Sequence, residues 1–297
     1  MQDLWLSGAG LNPFPRRPSR RFCAAPAVGY HPAMFEDYNA TLLRRIDITP
    51  RLAILRVKPD GPVFEFAAGQ YTVLGLRRNA PRLPAGGEGD DPPLGAADRL
   101  VKRAYSISSG SLERESLEFY VSLVPSGELT PRLFALKEGD RLFLGPRAKG
   151  LFTLQEVPSD RHVLMVATGT GLAPYMSMLR TRVLVASERR VAVLHGARYS
   201  WDLGYRGELE DLRRACPRFA YLPVVSRPAD DPAWNGRAGR LPRWLDDPAL
   251  EEACGFPLVP ACTHVFLCGN PAMIEEAEPR LATRGYGPDS LHREKYW

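Results

Sequence analysis

Three short stretches decide how this chain folds: RAYSISS at residues 103–109, VLMVATGTGLAP at 163–174 and VFLCGNPAM at 265–273. The second and third share one pattern, in which an apolar run leads through glycine into the start of a helix. Apolar strands that alternate with helices are typical of a parallel α/β sheet. The first stretch instead lies among short strands. We therefore predict two different halves, an all-β part followed by an α/β part.

The composition is that of an ordinary globular protein and excludes some classes of partner. Of the 297 residues, 44% are hydrophobic and 25% are charged. No run approaches the roughly 18 apolar residues of a membrane helix, so a membrane partner is not expected. The net charge is +5, but four arginines and one aspartate fall within the first 33 residues. The remainder carries little excess positive charge, so nucleic acid is not an expected partner either.

The cysteines give no sign of a disulfide framework or a metal centre. There are five of them, and none forms a C-x-x-C pair. Structural zinc and iron–sulfur centres need clustered cysteine ligands, so no metal is expected. Scattered free thiols suit a reducing compartment, and we predict a cytoplasmic protein. The five residues are Cys23, Cys216, Cys254, Cys262 and Cys268.

Two segments stand apart from the predicted folded halves. Residues 1–33 hold five prolines and two arginine pairs with little periodicity. Such a leader can be an organellar transit peptide, but we favour a disordered tail or an upstream start, with Met34 as the natural first residue. Residues 77–99 are rich in proline and glycine and predict a mobile loop. That loop either covers a cofactor or partner site or is an inert insertion.

Residues 34–156 show short strands separated by glycine, proline and aspartate. This spacing predicts an antiparallel barrel or sandwich. One helix is predicted at 130–136, with Thr130 as its N-cap and Pro131 in its first turn. The strands are expected at 40–48, 52–58, 71–76, 104–108, 117–124 and 141–144.

Residues 157–297 alternate apolar runs with helical segments, which predicts βαβ units around a parallel sheet. Ligands of such sheets bind at the carboxyl ends of the strands. The strands are expected at 163–167, 191–197, 220–225 and 264–268, and the helices at 174–186, 207–215, 240–245 and 271–284.

Phosphate-binding features follow several of these strands. Gly169 and Gly171 would let the backbone approach a pyrophosphate without a Cβ in the way. Arg198, Arg227 and Arg240 each follow a strand or turn, and arginine forks bind phosphate in a bidentate manner. Arg237 is a competing candidate for the third contact. Arginines at the strand ends suit a phosphate group such as a 2′-phosphate.

In order, the three quoted stretches resemble the flavin-binding, pyrophosphate-binding and nicotinamide-side motifs of the ferredoxin–NADP reductase family, in its bacterial form. The resemblance covers residues 34–297. It implies an antiparallel Greek-key β-barrel that binds FAD at 34–156, followed by a Rossmann-like parallel sheet with flanking helices that binds NADP at 157–297. It also implies hydride transfer between NADP(H) and FAD, and transfer of single electrons between FAD and an acidic carrier, ferredoxin or flavodoxin.

The resemblance also implies roles for individual residues. Arg103 would bind phosphate, Tyr105 would stack on the flavin and Ser106 would lie near flavin N5, although strand alternation puts Ser106 on the opposite face unless a twist or bulge intervenes. The implied FAD contacts are Arg103, Ala104, Tyr105, Ser106, Val121, Ser122, Leu123, Glu128, Leu129, Thr130, Thr170 and Trp297. The implied NADP contacts are Gly169, Thr170, Gly171, Pro174, Arg198, Ser226, Arg227, Arg240, Cys268 and Gly269. The implied catalytic residues are Ser106, Cys268, Glu294 and Tyr296.

Two other functions stay open at this point. One is an NAD(P)H-dependent flavin reductase that serves an oxygenase or a cytochrome on the same scaffold. The other is a non-catalytic, flavin-binding redox sensor. We expect the protein to be a monomer.

Overall fold

The computed structural model describes residues 38–84, 99–181 and 188–296. The predicted N-terminal extension at 1–33, most of the predicted loop at 77–99 and Trp297 lie outside these residues. Within the described part of the chain, no helix combines the length and apolar character needed to cross a bilayer.

The first half is an antiparallel sheet of six strands in the order β4-β3-β6-β1-β2-β5. A bridge joins Ile107, just after β4, to Phe119 in β5, so the two outer strands meet and the sheet closes into a barrel. Alternate side chains of each strand fill the barrel with a core of leucine, valine and phenylalanine. The predicted barrel is confirmed. Its strands are β1 (Ala40–Thr49), β2 (Leu52–Pro59), β3 (Tyr71–Arg77), β4 (Leu100–Ser106), β5 (Leu117–Ser122) and β6 (Arg141–Leu144), with one short helix, α1 (Thr130–Leu133).

The second half is a parallel sheet of six strands in the order β10-β9-β8-β7-β11-β12. The chain proceeds outward from β7 through β8, β9 and β10 before β11 is added on the other side of β7. This reversal is a topological switch point, the usual ligand site of an open α/β sheet. The predicted α/β half is confirmed. Its strands are β7 (His162–Thr168), β8 (Val191–Ala197), β9 (Phe219–Val225), β10 (Arg237–Ala238), β11 (Thr263–Gly269) and β12 (Leu291–Lys295). Its helices are α2 (Ala173–Arg180), α3 (Arg206–Ala215), α4 (Leu250–Cys254) and α5 (Pro271–Thr283).

The two halves share an apolar core. Leu52, Ile54 and Tyr120 of the barrel belong to the same buried cluster as Met165 of β7 and Tyr175 of α2. Burial of apolar surface on both sides therefore holds the barrel against one face of the parallel sheet.

Three predictions for the barrel were wrong in detail. Strand β4 spans Leu100–Ser106 rather than 104–108, and helix α1 stops at Leu133 rather than at 136. Thr130 does not cap this helix, because Leu129 occupies the N-cap position. The Thr130 hydroxyl instead accepts from the amide of Val124 at 2.9 Å and donates to its carbonyl at 3.0 Å. This pair of bonds closes the loop between β5 and α1.

The α/β half also differs in part from the prediction. Residues 240–245 were predicted as a helix, but the structure has a 3-10 helix at Leu241–Asp246. Helix α2 ends at Arg180, and residues 182–187 of the predicted helix lie outside the described residues. Strand β12 and helix α4 were not predicted. Strand β12 reads LHREK, whose charged side chains hide the pattern of a buried strand.

Candidate active site

Strand β12 brings the C-terminal residues to the glycine turn after β11. Cys268 and Glu294 are register partners in the parallel pairing of β11 with β12. One residue after the strand, the amide of Tyr296 donates to the carbonyl of Gly269 at 2.9 Å. Pairing along the backbone thus fixes the position of Glu294 and Tyr296 beside Cys268.

A hydrogen-bonded cluster connects these residues to the barrel. The Ser106 hydroxyl, at the end of β4, donates to Glu294 Oε1 at 3.0 Å. The Tyr296 hydroxyl donates to Ser106 Oγ at 2.6 Å. The structure therefore brings together Ser106, Cys268, Glu294 and Tyr296, the four residues that the resemblance implies in catalysis.

Burial changes how readily these groups ionise. It raises the pKa of Glu294, although hydrogen bonds with Ser106 and Tyr296 oppose that rise. Burial also raises the pKa of the Cys268 thiol well above its ordinary value. A carboxyl with a raised pKa keeps its proton to higher pH than an exposed one, and Cys268 is present as a neutral thiol at neutral pH. Burial therefore shifts both groups toward their neutral forms.

The predicted FAD-phosphate residues meet at the start of α1. Arg103 Nη2 lies 3.2 Å from Glu128 Oε2, and both side chains are about half exposed. Tyr105 is partly buried against the barrel core, and its neighbour Ala104 is exposed. An aromatic face and a guanidinium therefore lie along one strand, as a flavin with a pyrophosphate requires.

Two other predicted FAD residues can contact a ligand only through their backbone. The side chains of Val121 and Leu129 are buried in the barrel core at 1% and 2% exposure, so only their backbone groups can reach a ligand. Ser122, Leu123 and Thr130 are partly exposed. The amides of Arg132 and Leu133 already donate to the carbonyl of Leu129 and Pro131 has no N–H, so only the amides that precede them can bind phosphate oxygens.

The two glycine turns pack closely at the switch point. Gly169 to Leu172 form a single 3-10 turn that leads into α2, with Thr170 partly exposed and Pro174 buried in the first helical turn. A Cβ on Gly171 would lie 2.3 Å from the Cys268 carbonyl oxygen, whereas a Cβ on Gly169 would meet no atom within 4 Å. Gly169 has a positive φ of 53° and Gly269 one of 123°, both favoured by glycine. The turn is therefore packed against Cys268 and Gly269 at Gly171 and open at Gly169, so a pyrophosphate could approach its backbone at Gly169.

Two of the predicted 2′-phosphate arginines are neighbours. The amide of Arg227 donates to the carbonyl of Arg198 at 3.0 Å, just beyond the carboxyl ends of β9 and β8. Ser226 is likewise bonded to Ala197, at 2.9 Å. Arg198, Ser226 and Arg227 are all exposed, so their side chains can bind a phosphate from solution.

The third arginine is engaged elsewhere in the protein. Arg240 Nη2 lies 2.7 Å from Glu276 Oε2 on α5. The competing candidate, Arg237, stacks over the ring of Trp244 at 5.6 Å. Arg240 would have to share its guanidinium between Glu276 and a phosphate. The structure thus provides two available arginines and one that is already paired.

Sequence reasoning missed two features near these residues. Tyr199 and Trp201 stack at 4.7 Å after β8, and the Tyr199 hydroxyl accepts from Arg227 at 3.4 Å. Arg132, which is 4% exposed, donates to the carbonyl of Glu128 and holds it in place. The two aromatic residues that follow Arg198 are visible in the sequence, whereas a buried arginine inside a short helix leaves no sequence signal.

The residues present fit FAD and NADP on structural grounds. The barrel offers an exposed arginine and a partly buried tyrosine on one strand, and the switch point offers a glycine turn that is open at Gly169, with two exposed arginines at the neighbouring strand ends. Among the described residues, no group of three or more His, Cys, Asp or Glu side chains could hold a metal ion.

Comparisons with known proteins lead in the same direction. The family model for the oxidoreductase NAD-binding domain matches residues 165–278. The chain is 35% identical to flavodoxin/ferredoxin–NADP reductase of Escherichia coli K12 over 227 residues, which cover 76% of this chain and 83% of that protein. It is also 35% identical to ferredoxin–NADP reductase B of Sorangium cellulosum, over 88% of this chain and 98% of that one.

A solved structure shares the architecture. The ferredoxin NADP+ reductase of Neisseria gonorrhoeae, crystallised with FAD and NADP, superimposes with a TM-score of 0.72 at 25% identity. The match covers 87% of this chain and 98% of the Neisseria protein.

Proposed function

This chain belongs to the flavodoxin/ferredoxin–NADP reductase family, and we propose that its two halves carry out the reaction of that family through the residues described above. It is an FAD-dependent oxidoreductase that acts on NADP(H). The bound flavin supplies the chemistry: it exchanges a hydride with the nicotinamide and single electrons with ferredoxin or flavodoxin. The observation that supports this proposal best is the contact of Ser106 with Glu294 and Tyr296 across the two halves.

We assign FAD to residues 34–156 and NADP to residues 157–297. Arg103 and the backbone of α1 hold the FAD pyrophosphate, and Tyr105 packs on the ring system. The Gly169–Gly171 turn holds the NADP pyrophosphate at the start of α2. Arg198 and Arg227 hold the 2′-phosphate, with Arg240 in a weaker role because Glu276 competes for it. The arginines give the protein its preference for NADP over NAD.

The Ser106 cluster acts where the two cofactors meet. Tyr296 shields the site, and it leaves Ser106 when the nicotinamide enters. Ser106 then keeps its hydrogen bond to Glu294, whose pKa is raised by burial. Cys268 forms the wall beside the nicotinamide as a neutral thiol. These residues orient the nicotinamide and exclude water rather than form covalent intermediates.

The proposed partner is ferredoxin or flavodoxin, the carriers in the names of the relatives. We further propose that the protein works as a monomer in the cytoplasm. The free thiols of Cys216, Cys254, Cys262 and Cys268 suit a reducing compartment. Size-exclusion chromatography with light scattering would test the monomer.

The decisive experiment compares the two nicotinamides. Purified protein should carry FAD, and NADPH should reduce that flavin with a kcat/KM at least about tenfold above that for NADH, because charge-assisted phosphate contacts are strong. Equal kcat/KM for both would favour a flavin reductase without NADP preference. Bound FAD without any turnover toward ferricyanide would favour a redox sensor. Either result would refute the proposed role of the arginines or of the cluster.

A further inference from the structure

A second polar cluster connects the two halves. Glu118 lies on β5 of the barrel, and its side chain is only 6% exposed. Its carboxylate accepts from Arg180 Nη1 at 2.6 Å and from the Tyr205 hydroxyl at 2.8 Å, both in the α/β half. It also accepts from Arg56 Nε at 3.0 Å, within the barrel. The Ser108 hydroxyl, also in the barrel, donates to Glu118 Oε1 at 3.5 Å. The buried carboxylate is thus shared between two barrel partners and two partners from the other half.

Arg180 is the centre of this connection. It is the last residue of α2, and besides Glu118 it binds Glu208 through Nε and Nη2 at 2.7 and 2.6 Å. Its Nη1 also donates to the carbonyl of Ser108 at 3.0 Å. Although burial disfavours a charged group, the two carboxylates raise the pKa of Arg180, so it remains a cation in every functional state. The same carboxylate–guanidinium pairing lowers the pKa of Glu118 despite the opposing effect of its burial.

Tyr205 is held in a strained backbone conformation by the same cluster. Among the described residues it is the one non-glycine residue with positive φ, at 58°. Its ring lies under the Arg180 guanidinium at 5.1 Å and against Tyr120 of the barrel at 5.0 Å. Its hydroxyl lies 3.1 Å from Ser108 Oγ. Non-glycine residues keep such a conformation only where their surroundings over-determine it, which is common at functional sites.

The cluster is placed to control the approach of the two cofactors. Ser108 follows Ser106 by two residues, about 7 Å along the extended chain. Arg180 lies at the far end of the same eight-residue helix that begins beside the Gly169–Gly171 turn, about 12 Å away. The cluster therefore ties the strand that carries Ser106 to the helix that carries the NADP-binding turn.

We propose that Glu118, Arg180 and Tyr205 form an interdomain latch that sets the distance between the nicotinamide and the flavin. The proposal rests on the function proposed above and adds positioning residues to it. None of the three is among the residues assigned above to FAD or NADP. They act through Ser108 and through α2, whose placement a two-electron transfer needs to within a fraction of an ångström.

The test compares removal of a cation from each side of Glu118. Arg180→Gln removes the ion pair that joins Glu118 to the α/β half, whereas Arg56→Gln removes a cation from the barrel side only. The Arg56 side chain is 50% exposed and that of Arg180 is 25% exposed, so Arg56 is a matched control with weaker coupling. Tyr205→Phe removes one hydroxyl and keeps the ring. It therefore tests the same cluster with a milder change, should Arg180→Gln fail to fold.

In stopped-flow experiments, the rate of flavin reduction by NADPH should fall about tenfold or more in Arg180→Gln and severalfold in Tyr205→Phe. The kinetic isotope effect for NADPH deuterated at the transferred position should increase in both variants. The Kd for NADP+ and the flavin spectrum should stay near those of the parent. Arg180→Lys should restore part of the rate. Arg56→Gln should match the parent.

A second measurement does not depend on turnover. Amide hydrogen exchange in the full-length protein should become faster at 104–110 and at 174–181 in Arg180→Gln and Tyr205→Phe, but not in Arg56→Gln. The latch is refuted if Arg56→Gln and Arg180→Gln behave alike, or if exchange rises while the rate of flavin reduction stays at the parent value. A parent protein that NADPH fails to reduce would refute the proposed function, and exchange would still show whether the cluster couples the two halves.

Discussion

Gly171 offers a direct test of the contact between the two glycine turns. A Cβ at this position would lie 2.3 Å from the Cys268 carbonyl oxygen and 2.7 Å from Gly269 Cα. All of these neighbours belong to the backbone, so no flexible side chain can move away. In Gly171→Ala the Gly169–Gly171 turn, which we propose binds NADP, and the Cys268–Gly269 turn must separate.

The size of this separation follows from the same distances. Real Cβ atoms essentially never approach closer than 3.0 Å, and ordinary contact begins at 3.4 Å. The turns must therefore move apart by roughly 0.7–1.1 Å. A misplacement of about 1 Å between reacting groups costs roughly a hundredfold in rate, so we expect flavin reduction by NADPH to slow by about that factor.

The assay is stopped-flow reduction of the bound flavin, followed by its visible absorbance under saturating NADPH. Gly207→Ala is the matched control, because its Cβ would meet no atom within 4 Å and it lies in helix α3. That exchange should leave the rate unchanged and stabilise the fold by up to about 1 kcal/mol. The flavin spectrum should be the same in both variants, since Gly171 lies in the NADP half. Reduction of Gly171→Ala at the parent rate would refute the argument.

Three further predictions concern single side chains. Arg227→Ala should raise KM for NADPH roughly tenfold and leave KM for NADH nearly unchanged. Arg240→Ala should raise KM for NADPH less, because Glu276 already pairs with Arg240. A larger rise in Arg240→Ala than in Arg227→Ala would contradict the assignment. Since burial raises the folded-state pKa of Glu294, its carboxyl contributes stability that is lost as pH rises from the ordinary value of 4.5 through the raised value. Urea titrations across this range should therefore show a smaller decline for Glu294→Gln, and parallel curves would argue against a raised pKa. Tyr105→Ala should weaken FAD binding about tenfold and shift the flavin absorbance bands, and an unchanged spectrum would exclude stacking.

The sequence determined the architecture because the signals for it are local. Short strands with turn residues between them indicated a barrel, and apolar runs followed by glycine and a helix indicated a parallel sheet. The positions of Gly169 and Arg227 at strand ends followed from the same patterns, because the carboxyl ends of parallel strands share one edge. The bounds of β4 and α1 did not follow, since hydrogen bonds to other segments decide where such short elements end.

Only the tertiary structure decided which residues of the site contact one another. Ser106 and Glu294 are 188 residues apart and touch because β12, a strand of charged residues, pairs with β11. Glu118 and Arg180 join in the same way across 62 residues. Neither contact leaves a local pattern, because periodicity reports which face of an element is buried and not which distant residue covers it. The chemistry of each residue could be assigned from the sequence, whereas the distances between them depend on how the barrel and the sheet pack.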